Sequence, residues 1–144
     1  MLNIRVMLVD DHKILREALR AVLASESDIT VVAEAADGNE TLRLVQQNPP
    51  DVVVMDVGMP GMDGIETTRR LIAMSPTAKV VALSTYFDRR IELPMLDAGA
   101  RGYVDKASDG KELLQAIRAA AAGEIYLCKE IAGIMRETDL LSDK

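Results

Sequence analysis

The chain predicts an α/β fold, a doubly wound parallel sheet of five strands in the order 2-1-3-4-5. Three observations predict it. Five short apolar runs recur along the chain. Stretches with helical spacing separate them. Three of those stretches open with an Asp followed three residues later by a Glu, the pattern of a capped helix start. Parallel strands joined by right-handed helical crossovers fold back into such a sandwich, and the first turns of its helices gather at one edge of the sheet.

The elements follow in order. The first run, "IRVMLVD" (Ile4–Asp10), is almost continuously apolar, as a strand buried on both faces must be. Ile14, Leu15, Ala18, Leu19, Val22 and Leu23 then keep the spacing of one helix face. "TVVAEA" (Thr30–Ala35) is the second run, and Asp37/Glu40 starts the next helix. "DVVVMD" (Asp51–Asp56) is the third, followed by Asp63/Glu66. "KVVALST" (Lys79–Thr85) is the fourth. The helix after it, in "FDRRIELPMLDAGA", contains Pro94, which has no N–H for the carbonyl of Arg90 and collides with it. That helix is expected to be short, kinked or late, starting near Leu93. Gly99 marks its end. "ARGYVDK" (Ala100–Lys106) is the fifth run. Asp109/Glu112 opens a last helix with Leu113, Leu114, Ile117 and Ala121 on one face and Gly123 behind it. Residues 1–124 thus form one domain. Residues 125–144 are expected to be a linker with a short helix near Ile131, Ile134 and Met135 and an irregular "SDK" end.

Composition narrows the function. The chain has 144 residues, 49% apolar and 28% charged, enough for one soluble globular domain with a sizeable core. Aromatics are 3% and Trp is absent, so that core is aliphatic. A net charge of −6 without clustered Lys or Arg argues against a grip on nucleic acid by this segment itself. The one cysteine, Cys128, permits no internal disulfide, which fits a reducing compartment. No apolar run reaches the length of a membrane span. A cytoplasmic protein without a membrane partner is the expectation.

Ligands of open α/β sheets bind beyond the carboxyl ends of the strands. Here those ends carry Asp10 and Asp11 (first), Asp56 (third), Ser84 and Thr85 (fourth) and Lys106 (fifth). In the 2-1-3-4-5 order these strands are neighbours. One edge therefore collects three carboxylates, two hydroxyls and an ammonium. Carboxylates so crowded raise one another's pKa unless a hard cation neutralises them, and Mg2+ takes such oxygens while keeping waters and phosphate oxygens. The set is that of phosphoryl transfer, with Asp56, alone at the central strand's end before "VGMPGMDG", as the attacking carboxylate.

Each residue also has a plainer role. Asp11 suits the N-cap of the first helix, Asp56 a turn before Gly58 and Pro60, Ser84 and Thr85 a helix cap, and Lys106 a solvated surface. Singly these are at least as probable. Together they require four accidents at one sheet edge. His12 is expected to be a surface histidine beside the site. As the only histidine, it makes a His-based relay or a zinc site improbable.

"VDDH", "DVVVMDVGMPGMDG", "LST" and "AGARGYVDK" resemble the receiver domain of two-component response regulators. The segment from Ala98 through "YVDKASDGKELLQAIRAAAAGEIYL" is similar to the NarL/FixJ (LuxR-type) subgroup. The resemblance spans Ile4 to Leu127 and implies the flavodoxin-like receiver fold. It implies that Asp56 is the phosphoacceptor and that Asp10 and Asp11 organise Mg2+, Asp11 more directly, with the Gly58 backbone carbonyl as a further ligand. Ser84 would hydrogen-bond the phosphoryl group, Lys106 would pair with it, and Tyr103 would be the aromatic that turns inward when Ser84 moves. A histidine kinase would be the phosphodonor. The output surface would be the fourth helix, fifth strand and fifth helix. Departures from the family pattern are Ala107 in place of a frequent cis-proline, Gly58 with no side chain over the site, Tyr86 as a shield for it, and Pro94.

The resemblance implies a signalling switch rather than a turnover enzyme, with transcription controlled through a C-terminal helix-turn-helix domain beyond residue 144. A stand-alone receiver acting through protein contacts is the alternative. The helix expected around Lys129–Glu137 favours the former. A homodimer is possible through either of two faces. A Mg2+-dependent aspartate phosphatase ranks lower, since the position two after Asp56 is Gly58 rather than an acid. A dinucleotide-binding fold lacks its glycine motif after the first strand.

Overall fold

The computed structural model describes residues 3–58, 64–84, 89–106, 109–129 and 131–133. Its elements are β1 (Ile4–Val9), α1 (Lys13–Ala24), β2 (Ile29–Ala35), α2 (Gly38–Gln47), β3 (Val52–Asp56), α3 (Gly64–Met74), β4 (Lys79–Ser84), α4 (Arg89–Asp97), β5 (Gly102–Asp105), α5 (Gly110–Ala121) and β6 (Tyr126–Leu127). The strands form one sheet in the order β2-β1-β3-β4-β5-β6, and every pairing is parallel.

The predicted order holds for the first five strands, and the count needs correction from five to six. Tyr126 and Leu127 pair with Gly102 and Tyr103, and Cys128 and Ile131 behind them are buried. The start of the segment expected to be linker thus adds to the sheet and core. A helical bond comes next, Ala132 N–H to the Cys128 carbonyl at 2.9 Å. Residues 134–144 lie outside the described residues.

Strand alternation sends side chains to two layers. Val6, Leu8, Val54, Val81, Leu83 and Val104 pack with Leu23 of α1 and Leu113, Ala116, Ile117 and Ala120 of α5. Met7, Val9, Val53, Met55, Val80, Ala82 and Tyr103 pack with Val45 of α2, Leu71 of α3 and Met95 of α4. All five β3 residues are buried, which explains the unbroken "VVVMD". The core is aliphatic as expected, with Tyr103 its one fully buried aromatic among the described residues. None of the described helices is long and apolar enough to cross a membrane.

Two predicted caps are present. The Asp37 carboxylate accepts the Glu40 N–H at 2.8 Å, and that of Asp109 accepts the Glu112 N–H at 3.1 Å. Asp63 lies outside the described residues. Gly99 (φ 116°) and Gly123 (φ 84°) end their helices in the left-handed region, as predicted. A Cβ at Gly99 would also fall 2.4 Å from Ile72 Cδ1.

Three expectations need correction. The fourth helix does not start near Leu93; it is short but begins at Arg89, so Pro94 lies inside it. Met95, fully buried, and the return bonds Ala98 N–H to Pro94 O (2.9 Å) and Ala100 N–H to Met95 O (3.2 Å) fasten its second half, so packing outweighs the missing proline donor. On α1, Ile14 is 83% exposed and Ala18 is exposed, while Leu15, Leu19 and Val22 are half-buried and Leu23 is buried, so the buried face is narrower than the apolar spacing. On α5 the buried set is Leu113, Ala116, Ile117 and Ala120, while Ala121 is exposed.

Candidate functional site

Sheet register assembles the site. Val9 of β1 sits beside Met55 of β3, so the next residues, Asp10 and Asp56, leave the sheet side by side. Asp56 pairs in register with Leu83, and Ser84 with Asp105, which places Ser84 and Lys106 at the neighbouring ends. The Val57 N–H donates to the Leu83 carbonyl at 3.1 Å and the Lys106 N–H to the Ser84 carbonyl at 3.0 Å, tying the turns together beyond the strands. Gly64, the first residue of α3, lies so close beneath that a Cβ there would meet the Asp56 carbonyl oxygen at 2.8 Å.

Asp10 and Asp56 are 2% and 3% exposed. Lys106 Nζ lies 3.2 Å from Asp10 Oδ2 and 3.0 Å from Asp56 Oδ1, bridging them. Burial pulls the pKa of this ammonium down, but the hydrogen bond and field of Asp56, with those of Asp10, outweigh it, and the net shift is upward. The Gly58 N–H donates to Asp56 Oδ1 at 3.0 Å. A Cβ on exposed Gly58 would sit 3.8 Å from that oxygen, an ordinary contact distance, so a side chain would fit there beside the acid.

Asp11 has a side chain 31% exposed at the mouth of the site. It is not the cap of α1: the N-cap position belongs to His12, which makes no side-chain cap bond. The reason lies in Asp10, whose Oδ1 takes the His12 N–H at 2.8 Å and so turns the chain one residue later. One ligand atom each from Asp10, Asp11, His12 and Asp56 lie within 4.8 Å of one another. Three carboxylates facing one ammonium leave a negative excess in a largely buried place. Hard carboxylate oxygens in that state are a fitting donor set for Mg2+.

Of the remaining predicted residues, Ser84 ends β4 and is 6% exposed. Tyr103 is fully buried in the layer with Met55, Ala82, Cys128 and Ile131. Thr85 and Tyr86 lie outside the described residues. A contributor that the sequence reading missed is Arg16. Its Nη1 donates to the Asp10 carbonyl and its Nε lies 3.4 Å from Glu34 Oε1, so it braces the β1–α1 turn against β2. An arginine set beside Leu15 on the sheet-facing side of a helix was the available signal.

A family model described as "Response regulator receiver domain" matches residues 6–118. The chain is 42% identical over 130 residues to the transcriptional regulatory protein LiaR of Bacillus subtilis (strain 168), covering 90% of this chain and 62% of LiaR. It is 41% identical over 129 residues to the response regulator GacA of Pseudomonas viridiflava, covering 90% and 60%. It therefore spans about three fifths of the length of these relatives. Among solved structures, a LuxR-family two-component response regulator from Aurantimonas sp. SI85-9A1 superposes with a TM-score of 0.90 at 40% identity, over 96% of this chain and 99% of that one. The signal receiver domain of the putative response regulator NarL from Mycobacterium tuberculosis gives 0.82 at 31%, over 86% and 100%. With the acid pair, the buried central aspartate and the bridging lysine each at its strand end, these likenesses are decisive: the chain belongs to the receiver domains of two-component response regulators, of the NarL/FixJ (LuxR-type) kind.

Proposed function

We propose that Asp56 accepts a phosphoryl group and that its phosphorylation switches the output surface of the domain. The observation that carries this is the buried pair Asp10 and Asp56 bridged by Lys106, with Asp11 at the mouth. A carboxylate oxygen of Asp56 attacks phosphorus, the phosphorus–nitrogen bond of a histidine kinase's phosphohistidine breaks, and the imidazole leaves with its electron pair and takes up a proton. Asp10, Asp11, Asp56 and the Gly58 carbonyl would hold Mg2+, which supplies charge neutralisation for the transferring group. Lys106, already 3.0 Å from Asp56, pairs with a phosphoryl oxygen, and the Ser84 hydroxyl hydrogen-bonds another. Movement of Ser84 is read by Tyr103, which packs within the same core layer as Met95 of α4.

The domain acts as a switch rather than a turnover enzyme, in the cytoplasm, and controls transcription through a C-terminal DNA-binding domain carried by the whole protein. Residues 1–124, with β6 and the buried Cys128 and Ile131 added to their sheet and core, form its receiver, and the residues after them lead to the DNA-binding domain. Lifetime of the acyl phosphate is set in part by position 58, where glycine puts no side chain beside Asp56.

Incubation with Mg2+ and acetyl phosphate, followed by intact mass, tests the reading. One added phosphate is expected, absent in Asp56→Asn, and lost more slowly in Gly58→Arg. Labelling that persists in Asp56→Asn would overturn the assignment.

A further inference from the structure

The sequence left His12 as a bystander, and the structure puts its ring in the site. His12 Nδ1 lies 3.1 Å from Asp10 Oδ1 and 3.3 Å from Asp11 Oδ1. Two donors bound about 2.0–2.1 Å from one ion at tetrahedral angles stand about 3.4 Å apart, and at octahedral angles about 3.0 Å. These are also the distances of a hydrogen bond or ion pair, and the ring is hydrogen-bonded to Asp10; they set its nitrogen among the acids' own donor atoms, all four residues offering one within 4.8 Å of the others. The backbone fixes it there. The His12 N–H is held by Asp10 at 2.8 Å, and its carbonyl accepts the Arg16 N–H at 3.0 Å. No capping bond claims the side chain, and the ring is 69% exposed, open to an arriving ion.

We propose that His12 is a metal-selecting residue: with Asp11 and Asp56 it lets this site take a borderline ion of the Zn2+ class in competition with Mg2+. The proposal rests on the reading of the acids as a cation site. Mg2+ is served by oxygens alone and gains little from imidazole, whereas Zn2+ gains a ligand that it prefers. Two carboxylates, one imidazole and an open position make a zinc site of three protein ligands. A receiver so built takes up scarce Zn2+ in place of abundant Mg2+, and its phosphorylation becomes sensitive to the zinc level.

Calorimetric titration of the whole chain with ZnCl2 and separately with MgCl2, without phosphodonor and at one slightly alkaline pH, tests this. In His12→Gln the Zn2+ affinity should fall at least tenfold while the Mg2+ affinity stays within twofold. Because His12 is the only histidine in the chain, a 15N-histidine label yields one imidazole signal, and Zn2+ should move it whereas Mg2+ should not. Buried Cys128 offers no competing surface thiol. Equal losses for both ions, or no loss for Zn2+, would overturn the proposal. So would Zn2+ binding that survives in Asp56→Asn and Asp11→Asn. Failure of Mg2+ to bind the parent chain would instead contradict the cation reading, while a selective Zn2+ loss in His12→Gln would still support the role of the imidazole.

Discussion

Two clusters in this molecule hold two carboxylates around one cation, at opposite ends of the sheet. At the carboxyl ends of the strands, Lys106 bridges Asp10 and Asp56 at 3.2 and 3.0 Å. Near the amino ends, Arg118 of α5 forks onto Asp28 with two bonds of 2.9 Å and reaches Glu26 at 2.7 Å. Both carry an unbalanced negative charge. In the second cluster the side chains of Arg118, Glu26 and Asp28 are 41%, 30% and 27% exposed, so water screens the imbalance. In the first they are 14%, 2% and 5% exposed, and Asp11 stands beside them. Water screens far less there. The exposed cluster ties α5 to the start of β2; the buried one keeps a negative excess that water does little to screen, which supports the proposed cation there.

Removing the cation from each cluster should separate them most. Lys106→Met leaves two buried carboxylates without their bridge, and the expected loss is about 3 kcal/mol, a Tm about 10 °C lower in chelator by calorimetry. Arg118→Ala should lower Tm by less than about 3 °C, and added salt should shrink that difference. If the two losses were equal, burial would not be what distinguishes the clusters.

Their responses to pH should also run in opposite directions. The pKa of Lys106 is raised on folding, so its contribution is complete below the ordinary value of 10.5 and fades as pH climbs through the raised one. The Arg118 hydrogen bond holds the Asp28 carboxyl below its ordinary 3.8, so that contribution is present above 3.8 and fades as pH falls through the lowered value. Urea melts of both variants across pH check this: in strong alkali the Lys106→Met deficit should narrow while the Arg118→Ala deficit persists, and the Arg118→Ala deficit should narrow in strong acid.

The same contrast explains what the sequence could show. The buried cluster was legible because strand ends are local: a run such as "VVVMD" announces both its burial and its terminal acid, and the strand order then brings the ends together. Asp37 and Asp109 were legible because a cap and its partner are three residues apart. The Arg118–Asp28 contact joins residues 90 apart and leaves no local trace. β6 has two residues, too few for a period, so "EIYL" merged with the tail. The start of α4 is not legible because proline's cost is local, whereas the anchorage of Met95 that outweighs it is tertiary. His12 was set aside because composition shows one histidine but not that its ring meets the acids.

Thermal melts of the parent chain and of Asp56→Asn, each in chelator and in Mg2+, test most directly whether the buried cluster is an unfinished cation site. At ten times its Kd, Mg2+ should stabilise the parent chain by about 1.4 kcal/mol, a Tm rise of about 5 °C. Asp56→Asn, with one buried charge removed, should already melt higher than the parent in chelator and respond less to Mg2+. A parent Tm indifferent to Mg2+, together with an Asp56→Asn chain that melts lower in chelator, would contradict the account.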